Sequence, residues 1–119
     1  MRTAALISSG RQHSCAVIGS SKLQCWGDNT YGQLGDDTNT QRTHAAAVSL
    51  NTNSQTITHV SCGEHHTCII LQGLGVSLYC WGYNWPGQLG LGDYNNRLVP
   101  TSVPDPDLLL VIRLIGAID

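Results

Sequence analysis

The stretch Cys25-Trp26-Gly27-Asp28-Asn29-Thr30-Tyr31-Gly32-Gln33-Leu34-Gly35 returns as Cys80-Trp81-Gly82-Tyr83-Asn84-Trp85-Pro86-Gly87-Gln88-Leu89-Gly90. Eight of the eleven positions are identical at a constant offset of 55. Self-similarity at a fixed period marks a repeat architecture, in which each unit buries a face against its neighbour.

The flanking sequence repeats as well. Ala5 to Ser8 and His13 to Ile18 are short apolar runs that read as strands. Gly19-Ser20-Ser21-Lys22 is turn chemistry, and Leu23 to Trp26 returns as the second arm of a hairpin. The motif then continues as a Gly-rich loop. Arg42 to Leu50 is rich in alanine, which favours helix. Its counterpart from Arg97 to Val103 contains Pro100 and suits an extended edge, so both segments are predicted extended. Ile57 to Gly63, His66 to Leu71 and Leu78 to Trp81 restart the series. The offset is 53 from Cys15 to Cys68 and 55 from Cys25 to Cys80, which places two extra residues in the second hairpin turn. Leu108 to Ile115 has the character of another opening strand.

This pattern predicts an all-β fold of β-propeller blades. It divides into a first repeat over 1–56, a second over 57–107 and the start of a third over 108–119. Two blades leave open edges, so the expectation is a fragment or a subunit whose edges are covered by a protein partner or by copies of itself.

Bulk properties narrow the function. With 119 residues there is room for one small domain, and 12% charged residues at a net charge of −2 give no electrostatic case for nucleic acid. No apolar run is long enough for membrane insertion as a helix, and the N-terminal residues lack the apolar core of a signal peptide.

The five cysteines carry a sharper inference. Cys15 and Cys25 flank one hairpin turn; Cys68 and Cys80 flank the other. Separations of 10 and 12 are even, so in an antiparallel hairpin each pair sits opposite on one face. This predicts the disulfides Cys15–Cys25 and Cys68–Cys80, with Cys62 left over, and an oxidising, extracellular or cell-surface compartment. The alternative is four reduced thiols packed as small hydrophobes.

Other chemistry is weaker. Cys62, His65, His66 and Cys68 are zinc-ligand types within seven residues. However, the first repeat has Ser9 and Gln12 in place of Cys62 and His65, and strand alternation points His65 and His66 to opposite faces. No metal and no cofactor are therefore expected. His13 and His66 are expected to bond backbone near the Gly10 and Gly63 turns. Asp28, Asp36, Asp37 and Asp93 match no calcium-loop pattern and are read as solvated turn residues. No nucleophile elbow, phosphate loop or His/Asp pair tied to a nucleophile occurs, so no catalytic residue is assigned. The shared glycines, Leu34, Leu89, Trp26 and Trp81 suit packing, the leucines as plugs between sheets. Candidate binding residues are the loop aromatics Tyr31, Tyr83, Trp85 and Tyr94. Trp85 leads because the first repeat has Thr30 there, so the shared fold does not require it.

Ser8-Ser9-Gly10, His13-Ser14-Cys15 and Cys25-Trp26-Gly27-x-Asn29-x-x-Gly32-Gln33-Leu34-Gly35, with their second copies, resemble repeats of the regulator of chromosome condensation family. The cysteine-bearing form resembles repeats common in secreted or surface proteins. The resemblance implies four antiparallel strands per blade and, commonly, a ring of seven blades. It implies a rigid disc that presents loops to protein partners. Family functions range from nucleotide exchange on a small GTPase to chromatin binding, light sensing, ubiquitin-ligase accessory roles and β-lactamase inhibition, and fold does not choose among them. The leading expectation is a non-catalytic protein-interaction module. The alternatives are an extracellular glycan-binding module and the regulatory propeller portion of a longer enzyme.

Overall fold

The computed structural model describes residues 4–73, 75–84, 89 and 91–104. Eight strands follow one another: β1 (Ala4–Ser9), β2 (His13–Ile18), β3 (Lys22–Gly27), β4 (Arg42–Ala47), β5 (Thr56–Cys62), β6 (His66–Gln72), β7 (Val76–Gly82) and β8 (Arg97–Ser102). They form two four-stranded sheets, β1-β2-β3-β4 and β5-β6-β7-β8, and every adjacent pair is antiparallel. The alanine-rich stretch is thus β4, an outer strand whose cross-strand partners on β3 outweigh its helix propensity. The expected third repeat over 108–119 lies outside the described residues.

The second hairpin corrects one expectation. The turns are Gly19 to Ser21 in the first sheet and residues 73–75 in the second, equal in length. The two extra residues instead lengthen β6 and β7 by one residue each. The β2–β3 ladder runs from His13↔Gly27 to Ile18↔Lys22, and the β6–β7 ladder from His66↔Gly82 to Gln72↔Val76, one rung longer. A one-residue insertion would have flipped side chains across the sheet; two residues preserve the register.

Alternation along the strands gives each sheet two faces. Cys15, Val17, Leu23 and Cys25 point from the first sheet toward the second, where Ile69, Leu71 and Trp81 meet them in one buried cluster. β5 packs against both β1 and β2, bringing Ile57, Val60 and Cys62 into the same core. Leu34, 1% exposed, fills the junction from the loop after β3, as expected of a plug. On the opposite face of the second sheet Cys68, Ile70, Leu78, Cys80 and Leu89 form a second cluster. Its members stand at the repeat positions of Cys15, Val17, Leu23, Cys25 and Leu34.

Cys15 is bonded to Cys25 and Cys68 to Cys80, each pair directly opposite in its ladder with a Cα separation of 4.1 Å. Cys62 is buried and takes no part in either disulfide.

Gly35 shows why the repeated motif ends as it does. Its φ of +70° belongs to the left-handed region, and a Cβ there would stand 2.6 Å from Trp81 Nε1. The glycine of one sheet therefore makes room for the tryptophan of the next. Replacing Gly35 with alanine is expected to cost about 2–4 kcal/mol by adding a steric clash to backbone strain. Gly19→Ala, at a φ of +67° with nothing within 4 Å, should cost only about 1–2 kcal/mol. Urea titration of the two variants side by side measures the difference.

Candidate functional site

The junction between the sheets is organised by one carbonyl. The backbone oxygen of Gln33 accepts from Thr67 Oγ1 at 2.8 Å and from Trp81 Nε1 at 2.9 Å, both side chains of the second sheet. The Gln33 side chain is held within its own loop: Oε1 accepts from the Tyr31 backbone N–H, and Nε2 donates to Asp28 Oδ2 at 3.0 Å. Gln33 is fully buried, so its polar groups need these partners.

Asn29 fixes the rest of that loop. Its Nδ2 donates to Thr38 O at 2.9 Å, Thr40 O at 3.1 Å and Asp36 Oδ1 at 3.1 Å, and its Oδ1 accepts from the Leu34 N–H at 3.0 Å. Asn84 repeats the arrangement with Asp93 O, Asp93 Oδ1, Asn95 O and the Leu89 N–H. Three of the acidic residues read as solvated, Asp28, Asp36 and Asp93, are therefore parts of the loop framework, while Asp37 is exposed as expected. Asp36 accepts from Arg42 Nε at 3.0 Å, and Asp93 from Arg97 Nη2 at 2.8 Å. Burial pushes the Asp36 carboxyl up, but hydrogen bonds from Thr38, Arg42 and Asn29 outweigh it and hold it below its usual range. Asp93 is held low chiefly by Arg97.

These braced loops bring two of the four predicted aromatics together. The Tyr31 and Tyr83 rings lie 4.5 Å apart, with His65 at 5.0 Å from Tyr31 and 6.1 Å from Tyr83. Tyr31 belongs to the first blade and the other two to the second, so the cluster straddles the junction. All three are part-exposed. The Tyr83 N–H donates to His65 O at 2.9 Å, which locks the β5–β6 turn against the start of the Tyr83 loop. Beside the rings Arg11 of the first blade bridges to Glu64 of the second at 2.7 Å. Tyr94, 60% exposed, stands farther along the same β7–β8 loop that begins with Tyr83 and is pinned by Asn84. Trp85 lies outside the described residues.

His65 and the Arg11–Glu64 pair were not predicted as part of this surface. The available signal was that the β5–β6 turn differs between repeats, with Arg11-Gln12 in one copy and Glu64-His65 in the other. The zinc-like set does not converge. Cys68 is in a disulfide, Cys62 Sγ lies 3.4 Å from Ser8 O, His65 joins the tyrosines and His66 packs over Gly63. Among the described residues no group of three or more His, Cys, Asp or Glu is placed to hold a metal ion. The histidine expectation is also corrected for His13: its Nε2 bonds Thr67 Oγ1 in the other sheet at 2.9 Å.

Two antiparallel four-stranded meanders, stacked face to face and keyed by repeated loop residues, define consecutive blades of a β-propeller. The chain belongs to the regulator of chromosome condensation (RCC1) repeat family, whose pattern matches residues 22–70 and 77–112, with a second form of the repeat matching residues 5–33. Among similar proteins, the probable E3 ubiquitin-protein ligase HERC4 of Homo sapiens is 34% identical over 94 residues. That match covers 79% of this chain and 9% of HERC4. The ultraviolet-B receptor UVR8 of Arabidopsis thaliana is also 34% identical over 94 residues, covering 79% of this chain and 21% of the receptor. Human WBSCR16 shares the fold with a TM-score of 0.70 at 24% identity, over 85% of this chain and 26% of that structure. Prp20p of Saccharomyces cerevisiae does so with a TM-score of 0.69 at 22% identity, over 88% and 26%. The chain thus spans a small part of each of these proteins.

Asn29→Asp tests the loop framework. The change replaces an amide donor by an oxygen that faces two carbonyls and the Asp36 carboxylate. A stability loss of about 3 kcal/mol or more is expected, measured by thermal or urea unfolding.

Proposed function

We propose that the chain is a non-catalytic protein-interaction module that presents the Tyr31–Tyr83–His65 surface from a pair of rigid propeller blades. The observation that carries this reading is the cluster itself. Its rings come from both blades, and Gln33, Asn29 and Asn84 hold the loops that bear it. Part-exposed tyrosines supply large contact area at low entropic cost, which suits protein recognition. Prp20p supports the same direction, since its structure is described together with its binding to Gsp1p and histones.

The module works within a larger assembly, as the small share of each relative that it matches supports. A propeller portion of a longer enzyme is one form of this, favoured by the similarity to a ubiquitin ligase. Two disulfides among five cysteines support an oxidising compartment, extracellular or at the cell surface.

The binding test compares affinity capture from an extracellular protein extract by the wild-type chain and by a Tyr31→Ala/Tyr83→Ala variant with unchanged circular dichroism. Loss of the captured proteins in the variant is expected; equal capture by both refutes the role of this surface. A glycan array is the contrasting arm, where a signal that vanishes in Tyr94→Ala would favour sugar recognition. Alkylation before and after reduction tests the compartment reading. One of the five cysteines should react in the unreduced, unfolded chain and all five after reduction.

A further inference from the structure

His13 and His66 at the blade junction are not part of the interaction surface, although they stand beside its His65. The Thr67 hydroxyl has one proton, and it goes to Gln33 O. At 2.9 Å from His13 Nε2 that hydroxyl oxygen therefore accepts, and His13 is the neutral Nε2–H tautomer. Its Nδ1 is then a lone-pair acceptor, buried and without a hydrogen-bond partner. His65 Nδ1, in the same junction, is likewise buried and without a hydrogen-bond partner.

The charged and titratable groups facing His13 come from three elements. His66 stands at the start of β6, His65 in the turn before it, and Asp28 in the loop after β3. Glu64, on the β5–β6 turn, lies 3.5 Å from His65 Nε2 and is engaged by Arg11. A proton added to His13 Nδ1 would thus place a charge in a buried site beside two other imidazoles, opposed only in part by the His66 backbone and the Asp28 carboxylate.

We propose that this junction is an acid-operated latch: protonation of His13 at Nδ1 releases the second blade from the first while each blade stays intact as a sheet. The two disulfides make that separation of events possible, because each ties neighbouring strands within one sheet and neither crosses the junction. The contacts that cross are noncovalent: His13 to Thr67, Thr67 and Trp81 to Gln33 O, Arg11 to Glu64, the Cys62 N–H to Ser8 Oγ, the backbone bonds from Ile57 to Ser20 and from Asp37 to Leu98, and the apolar cluster. Opening would also part Tyr31 from Tyr83 and His65, so an acid medium would dismantle the proposed binding surface. That last consequence alone rests on the interaction reading.

The direction of the effect follows from burial. Burial, then the neighbouring His66, lower the His13 pKa from 6.5 to about 4. The open junction therefore binds a proton that the closed one does not as pH falls from about 6.5 toward about 4. Closure is fully favoured above that window and lost on acidification through it. His66 is also shifted down by burial and by His65, which adds in the same direction.

Cys62 reports the latch directly. It lies outside both disulfides, is 2% exposed, and packs in the junction core with its N–H donating to Ser8 Oγ of the first blade at 3.0 Å. The experiment measures labelling of Cys62 in the 119-residue chain by a pyridyl disulfide from pH 7.5 to 3.5, scaled to a small-thiol standard. Far-UV circular dichroism is recorded in parallel. The scaled rate is expected to rise on the order of a hundredfold across this range while the sheet signal holds. In His13→Gln, whose amide still offers a donor to Thr67 but does not titrate, most of that rise should disappear. A pH-independent rate in the wild type overturns the latch, as does an unchanged acid rise in a folded His13→Gln. Loss of the sheet signal at the same pH as the labelling replaces the latch with global unfolding. None of these outcomes depends on partner capture.

Discussion

The structure depends on a single acceptor. The carbonyl oxygen of Gln33 has two lone pairs, and the second blade fills both, one with the Thr67 hydroxyl and one with the Trp81 indole. Apolar packing supplies most of the attraction between the sheets, but it is nondirectional and tolerates sliding. The two hydrogen bonds do not. They demand that the Gln33 loop, β6 and β7 meet in one register, and leaving the carbonyl unpaired in a buried site would cost about 1–3 kcal/mol. The rest of the loop serves that placement. Asn29 gathers its far side, Gln33 Nε2 and Asp28 close its near side, and Gly35 leaves space for the indole.

Placing the motif across two blades also explains its composition. Its Trp and its Gln-Leu-Gly are partners across the junction: Trp81 of the second copy docks on Gln33 and Gly35 of the first, so one motif carries both halves of a joint.

Much of this was legible in the sequence, for identifiable reasons. Strand positions follow from turn residues between apolar runs, and the disulfides from the parity of cysteine spacing across a hairpin. Leu34 was legible as a plug because an apolar residue between Gln and Gly in a polar loop has little other use. Asn29 was not, because its acceptors are backbone carbonyls up to eleven residues away, and spacing does not reveal which carbonyls a loop turns inward. Asp28, Asp36 and Asp93 were misread for the same reason, whereas Asp37 is exposed. His13 looked local because its nearest turn holds Gly10, yet its partner is Thr67, 54 residues on. Of the four aromatics, Tyr31 and Tyr83 meet at the junction although they stand at non-equivalent positions of the motif, whereas Tyr94 lies farther along the loop that Tyr83 begins.

The longer ladder of the second hairpin has a wider meaning. One additional rung was added at the turn end, between Gln72 and Val76, while the His66–Gly82 end kept its alignment. The blade therefore behaves as a ruler graduated in pairs of residues, aligned at the His66–Gly82 end and lengthened at the turn end. Material added or removed there two residues at a time keeps every side chain on its own face of the sheet. Lineages can diversify the outer contour of the disc in these steps, and a designer can graft onto it by the same rule.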